Sequence, residues 1–295
     1  MSFEEELSIR TDYAEEVIRR YLPEETGLQK KILESSNYAV LAGGKRLRPL
    51  LMLETYRLFD GRGKIVEPFM AAIEYIHSMS LVHDDLPCMD NDALRRGKPS
   101  VWAAYGEDFG VLAGDALMAY AFETAAKAFV FQSQAVNVGR AMEVLARKTG
   151  VSGMIGGQSV DVQMTGEPLT EEQLHFIYKL KTGALIEAAM MCGAILADAS
   201  REDIAIVEQI AARVGMAFQI RDDILDETST EEVLGKPVHS DEKNKKTTYV
   251  TLYGLDRARE AVIRLSSEAI AMIEGLSGEN LFLEALLKTL MTRDK

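Results

Sequence analysis

The sequence predicts an all-α fold, one large helical bundle, and three observations carry that prediction. Apolar residues recur at threes and fours through long stretches, the spacing that lines one face of an α-helix. Alternating Val/Ile/Thr runs bounded by turns are nearly absent. No Pro/Gly/Ser-rich linker divides the 295 residues and no repeat of fixed period occurs. Residues 1–295 therefore read as a single domain of about ten or more helices.

The periodic runs follow one another along the chain. The first is "YAEEVIRRYL" from Tyr13, the next "FMAAIEYIHSMSLV" from Phe69, and the third "VLAGDALMAYAFETAAKAFV" from Val111. Thr170 and Gln173 form a capping box that opens "TEEQLHFIYKLKTGALIEAAMM". The apolar stretch from Gly183, "GALIEAAMMCGAILADA", contains Glu187 and reads as a buried helix, not a membrane span. A last long run, "EDIAIVEQIAARVGMAFQI", starts at Glu202. Residues 228–248 are the least helix-like: polar, with Gly235 and Pro237, and expected to form a mobile loop.

Composition narrows the function. A net charge of −13 and a pI near 4.9 argue against a nucleic-acid partner. Two cysteines without metal-ligand spacing, Cys88 and Cys192, point to a reducing compartment. The acidic N-terminal residues show no apolar leader segment, so a soluble cytoplasmic protein is the expectation.

Two acidic clusters end apolar helical runs: "LVHDDLPCMDND" with Asp84, Asp85 and Asp90, and "RDDILDE" with Asp222, Asp223 and Asp226. Crowded carboxylates repel one another and resist desolvation, and a divalent cation relieves both problems. Oxygen-only ligands suit Mg²⁺, which uses a few carboxylates together with substrate phosphates. Asp222 and Asp226 are four apart and share a helical face. Asp84 and Asp90 are six apart and would diverge on a regular helix, but Pro87 breaks it and lets the chain bulge back. Basic residues for an anionic substrate stand near Gly pairs and in helices. They are Lys45, Arg46 and Arg48 in "LAGGKRLRPL", Arg95 and Arg96 in "LRRGKPS", Lys181 beside Thr182, and Lys236 and Lys246 in the polar segment.

In order, "GGKRLRP", "DDLPCMD", "LRRGKP", "GGQSVD", "KTGAL", "FQIRDDILD" and "GK…SD…K…TY" resemble the trans-polyprenyl diphosphate synthases, short-chain branch: the farnesyl and geranylgeranyl diphosphate synthases. The match runs from about residue 40 to residue 255. The resemblance implies the isoprenoid synthase fold, a helical bundle around a central substrate cavity. It implies Mg²⁺-dependent ionisation of an allylic diphosphate, attack by isopentenyl diphosphate, and proton loss to the released diphosphate. The developing negative charge would be met by Mg²⁺, three ions per active site with Mn²⁺ as a substitute.

Residue by residue, the resemblance implies Asp84, Asp90 and Asp222 as direct Mg²⁺ ligands, supported by Asp85, Asp223 and Asp226. Arg95, Lys181, Lys236 and Lys246 would grip the allylic diphosphate, with Thr182 and Gln219 at its reacting end. Lys45, Arg48, His77 and Arg96 would form a metal-free pocket for isopentenyl diphosphate. Gln158 and Asp161 would support them, and His83 would orient Asp84. Met79 would help floor the product channel, with C20 favoured over C15. A homodimer is implied, with Val111–Phe131 as its packing helix. Two positions depart from the family pattern: Ala93, where Asp is common, and Trp102, where a small polar residue or His is common. Competing readings are a class I terpene cyclase and a non-catalytic subunit of a heteromeric prenyltransferase. The second "DDILD" motif and the retained Lys45 and Arg48 oppose the first, and two intact aspartate motifs oppose the second.

Overall fold

The computed structural model describes residues 1–228 and 247–292, and among these the regular structure is helical except for one short hairpin. Its contacts divide it into two compact units. The first comprises residues 1–53 and 62–142, the second residues 54–61 and 143–295.

The first unit is organised around α4 (Glu67–Asp84). This helix is apolar on nearly every side, with Phe69, Ile73 and Ile76 fully enclosed, which is the pattern of a central helix and not a surface one. It packs against α6 (Glu107–Ala126) and α1 (Phe3–Arg20). Two carboxylates lie inside this packing, each with charged or hydroxyl partners, as burial demands. Glu67 accepts from Tyr13 Oη at 3.0 Å and Arg20 at 2.6 Å; Glu74 accepts from Arg46 at 2.7 Å. The α1 helix opens with a full capping box between Ser2 and Glu5. Around these lie α2 (Lys30–Leu41), the first turns of α3 (Leu47–Leu58) and short α5 (Val101–Tyr105).

No alternation marks the hairpin found among the described residues, Leu94–Arg95 paired antiparallel with Lys98–Pro99. Its strands are two residues each, too short to show alternation. Arg96 (φ 54°) and Gly97 (φ 75°) form its tip, so an arginine occupies a left-handed position usually left to Gly or Asn.

The second unit is built from α8 (Met154–Gln163), α9 (Glu171–Ile177), α10 (Ala184–Leu196) and the long α11 (Arg201–Thr228). After the undescribed residues come α12 (Tyr249–Tyr253), α13 (Leu255–Glu274) and α14 (Leu281–Thr292). The helix α7 (Ala135–Thr149) contributes its last turns. The expected capping box is present, with Gln173 N donating to Thr170 Oγ1 at 3.2 Å. Every residue of α10 is buried, and its lone charge, Glu187, is paired with Lys148, which also reaches Glu208 at 2.7 Å. No helix among the described residues is long and apolar enough to cross a membrane.

The expected continuous helix through "YKLKTGAL" is interrupted. Residues Tyr178–Gly183 form one π-helical turn between α9 and α10. Its neighbours approach at backbone distance: a Cβ on Gly157 would lie 2.3 Å from Lys181 N, and one on Gly215 would lie 2.8 Å from Gly183 Cα. Glycine at both positions lets α8 and α11 clasp the widened turn.

Candidate active site

In the first unit, α4 delivers Asp84 in its last turn and ends with Asp85 as C-cap. Beyond Pro87 the chain turns back on itself. Asp90 N donates to the Asp84 carbonyl at 2.9 Å, Asn91 N to Leu86 at 3.0 Å and Asp92 N to Asp85 at 3.1 Å. The six-residue gap therefore closes, and Asp84 and Asp90 share one loop. Trp102 Nε1 donates to the Asp92 carbonyl at 2.9 Å, so this departure from the family pattern anchors the loop from α5. Ala93 closes the hairpin, its carbonyl accepting from Ser100 N at 2.9 Å. The His83 imidazole turns to α6 and not to Asp84: it lies against Gly114, with Nε2 3.1 Å from the Val111 carbonyl.

Asp85 is only 2% exposed and is held by Arg95, whose Nε stands 3.0 Å from Oδ1. Burial pushes the Asp85 carboxyl up, and the Arg95 pair opposes that. Asp84 is half-buried and Asp90 exposed.

A cationic cluster lies beside this loop. "GGKRLRP" puts its three basic residues in three environments. Lys45 is exposed, Arg46 is turned inward onto Glu15, Glu74 and the Val40 carbonyl, and Arg48 is half-buried. Arg48 Nε is a buried donor with no hydrogen-bond acceptor among the described residues. Arg96 donates to the Gly43 carbonyl, and its guanidinium fills the space a Cβ on Gly44 would take, 2.8 Å from Nη2. The Gly pair thus lets a guanidinium lie directly on the backbone. Burial lowers the His77 pKa well below its ordinary value, and Arg48, Arg96, Arg46 and Arg95 reinforce the shift, so the imidazole is neutral near pH 7. Arg48 is likewise lowered, first by burial and then by Arg96, with Glu74 opposing. Glu74 is already engaged by Arg46, and Asp85 by Arg95. Neither Arg48 nor Arg96 makes an ion pair among the described residues. Met79 is buried one turn and more below Asp84 on α4.

In the second unit, Lys181 and Thr182 both belong to the π-helical turn. Lys181 Nζ is 2.6 Å from Asp161 Oδ2, so α8 orients the lysine. Gln158 is half-buried on the same helix. Thr182 Oγ1 donates to Gln219 Oε1 at 2.8 Å. On α11, Asp222 is half-buried while Asp223 and Asp226 are buried. Lys236 and Lys246 lie outside the described residues. Sequence reasoning missed Tyr178 and Tyr249, which meet at Asp223: Tyr178 Oη is 2.5 Å and Tyr249 N 2.9 Å from its Oδ2. A signal existed, because a tyrosine in a buried helix needs a partner for its hydroxyl.

Among the described residues no three acidic, His or Cys side chains gather into a protein-only metal cage. The donor chemistry nonetheless fits Mg²⁺, which takes one or two carboxylates and leaves its other positions to water and phosphate oxygens.

The polyprenyl synthetase family model matches residues 29–275. The geranylgeranyl diphosphate synthase of Cyanophora paradoxa is 41% identical over 279 residues, covering 90% of this chain and 91% of its own length. The farnesyl diphosphate synthase of Geobacillus stearothermophilus is 40% identical, over 88% of this chain and 87% of its own. A geranyltransferase of Helicobacter pylori, solved with magnesium and isoprenyl diphosphate, superposes with a TM-score of 0.80 at 31% identity, covering 96% of each chain. The fold is therefore that of the isoprenoid synthases, and the chain belongs to the polyprenyl synthetase family.

Proposed function

We propose that this chain is a short-chain trans-prenyltransferase. It joins isopentenyl diphosphate to dimethylallyl, geranyl or farnesyl diphosphate and gives prenyl diphosphates of C15–C20. The observation that carries the reading is two guanidiniums without an ion pair among the described residues: Arg48, with an unanswered buried Nε, and Arg96, lying on Gly43–Gly44, with a neutral His77 that feels both charges. A diphosphate supplies the charge and acceptor oxygens those groups lack. The carboxylates that would compete for them are occupied by Arg46 and Arg95.

Asp84, Asp90 and Asp222 would hold Mg²⁺, with Asp226 in support. When bound, Mg²⁺ offsets the charge that develops on a departing diphosphate. The chain's own part is to bind and orient. Lys181, steadied by Asp161, holds the allylic diphosphate. The Thr182–Gln219 pair presents oxygen dipoles toward the carbon that becomes cationic. His77, being neutral, donates one hydrogen bond without adding a charge that would repel the neighbouring arginines. The proton lost at the end passes to the released diphosphate. A homodimer and three Mg²⁺ ions per active site complete the proposal.

Titration calorimetry with isopentenyl diphosphate and no metal tests the carrying observation. Binding should occur in EDTA and fall about tenfold or more in Arg48→Met, since a charge-assisted contact is removed. Metal-free binding that ignores Arg48→Met and Arg96→Gln contradicts it.

A further inference from the structure

Asp223 carries a motif position but is surrounded by protein donors. It is 4% exposed. Oδ2 accepts from Tyr178 Oη at 2.5 Å and from Tyr249 N at 2.9 Å, while Oδ1 accepts from Gln219 Nε2 at 3.3 Å. Gln219 in turn accepts from Thr182 Oγ1. Tyr178 and Thr182 are fourth neighbours, the first and fifth residues of the π-helical turn, and their holders, Asp223 and Gln219, are fourth neighbours on α11. One turn of α11 thus fastens two side chains of one widened turn. The same carboxylate holds the start of α12. Tyr249 N bonds to it, Thr248 caps α12, Thr247 Oγ1 accepts from Leu169 N at 3.0 Å, and the Tyr249 ring stacks on His175.

We propose that Asp223 is a positioning residue and not a metal ligand, and that with Tyr178 it sets the register of the turn presenting Lys181 and Thr182. The proposal rests on the prenyltransferase reading. A π-helical turn loses the regular i→i−4 ladder and depends on outside contacts for its shape. A buried carboxylate with three donors is well satisfied, and turning Oδ2 to an ion would orphan the Tyr178 hydroxyl and leave the Tyr249 amide only its longer bond to Tyr178 Oη, 3.2 Å. Asp222, its neighbour on α11, is half-buried.

The test compares Asp222→Asn, Asp223→Asn, Asp223→Ala and Tyr178→Phe. Calorimetry with Mg²⁺ and inorganic pyrophosphate is the binding readout, and circular dichroism confirms folding. An Asn at 223 keeps an oxygen for Tyr178 and Tyr249, and its NH₂ can meet a flipped Gln219 amide. Asp223→Asn should therefore bind Mg²⁺-pyrophosphate nearly as well as wild type, and clearly better than Asp222→Asn, which loses a charged oxygen ligand. Tyr178→Phe, which keeps the ring, should weaken binding about tenfold, the size of one charge-assisted hydrogen bond. Asp223→Ala should be worse than Asp223→Asn in binding and turnover, so the conservative variant rescues. Asp223→Asn falling as far as Asp222→Asn overturns the proposal, and so does an unaffected Tyr178→Phe. If Asp222→Asn binds like wild type, the metal reading of the second motif fails, a different result from failure of the positioning role.

Discussion

Replacing Gly44 by alanine tests the cationic cluster with a single methyl group. The position has φ +140°, a conformation L residues rarely adopt, and the new Cβ would lie 2.8 Å from Arg96 Nη2 and 2.9 Å from Cζ. The atoms it meets end a flexible side chain, so the clash is relieved by moving the guanidinium away from Gly43. Two costs follow. The backbone strain should lower stability by about 1–3 kcal/mol. A displaced Arg96 should forfeit a charge-assisted contact to the isopentenyl diphosphate, worth roughly 1.5–3 kcal/mol, or about 10–150-fold in KM. Steady-state kinetics would show KM for isopentenyl diphosphate rising with KM for the allylic substrate nearly unchanged. Arg96→Gln should give the same KM effect without the strain, and the double variant should add little to either. An unchanged KM for isopentenyl diphosphate in a folded Gly44→Ala would refute the reasoning.

Asp84→Ala and Asp222→Ala should each lower turnover by about three or more orders of magnitude with the helical spectrum intact, because each removes charge-neutralising support from the leaving diphosphate. For His77, folding depresses the pKa, so the unfolded chain binds more protons. Its contribution to stability is present above about pH 6.5 and is lost as pH falls from there toward the folded value. Thermal melts should accordingly show His77→Gln gaining on wild type between about pH 6.5 and pH 5, and a difference independent of pH would contradict the burial of a neutral imidazole. Met79→Tyr should shorten the product, read by chromatography of dephosphorylated products, since a rigid ring fills more of the space beneath Asp84 than a flexible thioether does. An unchanged distribution would remove Met79 from the channel floor.

The helical class was readable because burial imposes a 3.6-residue period: α4 and α10, enclosed on all sides, show as dense apolar runs broken by single acids. Those acids, Glu74 and Glu187, gave no hint of their partners, because Arg46 and Lys148 are distant in sequence. The return of Asp90 to Asp84 was legible from Pro87 alone, since proline ends a helix whatever surrounds it. The hairpin and the π-helical turn were not. The first has strands too short for a period, and the second arises from the close approach of Gly157 and Gly215, a tertiary cause that leaves "YKLKTG" looking like ordinary helix. For the same reason Asp223 read as one more acid of its motif, though Tyr178 and Tyr249 surround it.

The central claim is chain elongation by prenyl transfer, and product analysis tests it most directly. The protein is incubated with Mg²⁺, dimethylallyl diphosphate and labelled isopentenyl diphosphate, and the products are resolved before and after phosphatase treatment. The account predicts label in linear diphosphates of C15–C20, abolished by EDTA and by Asp84→Ala. A cyclic hydrocarbon, or no turnover from folded protein with both substrates bound, would contradict it.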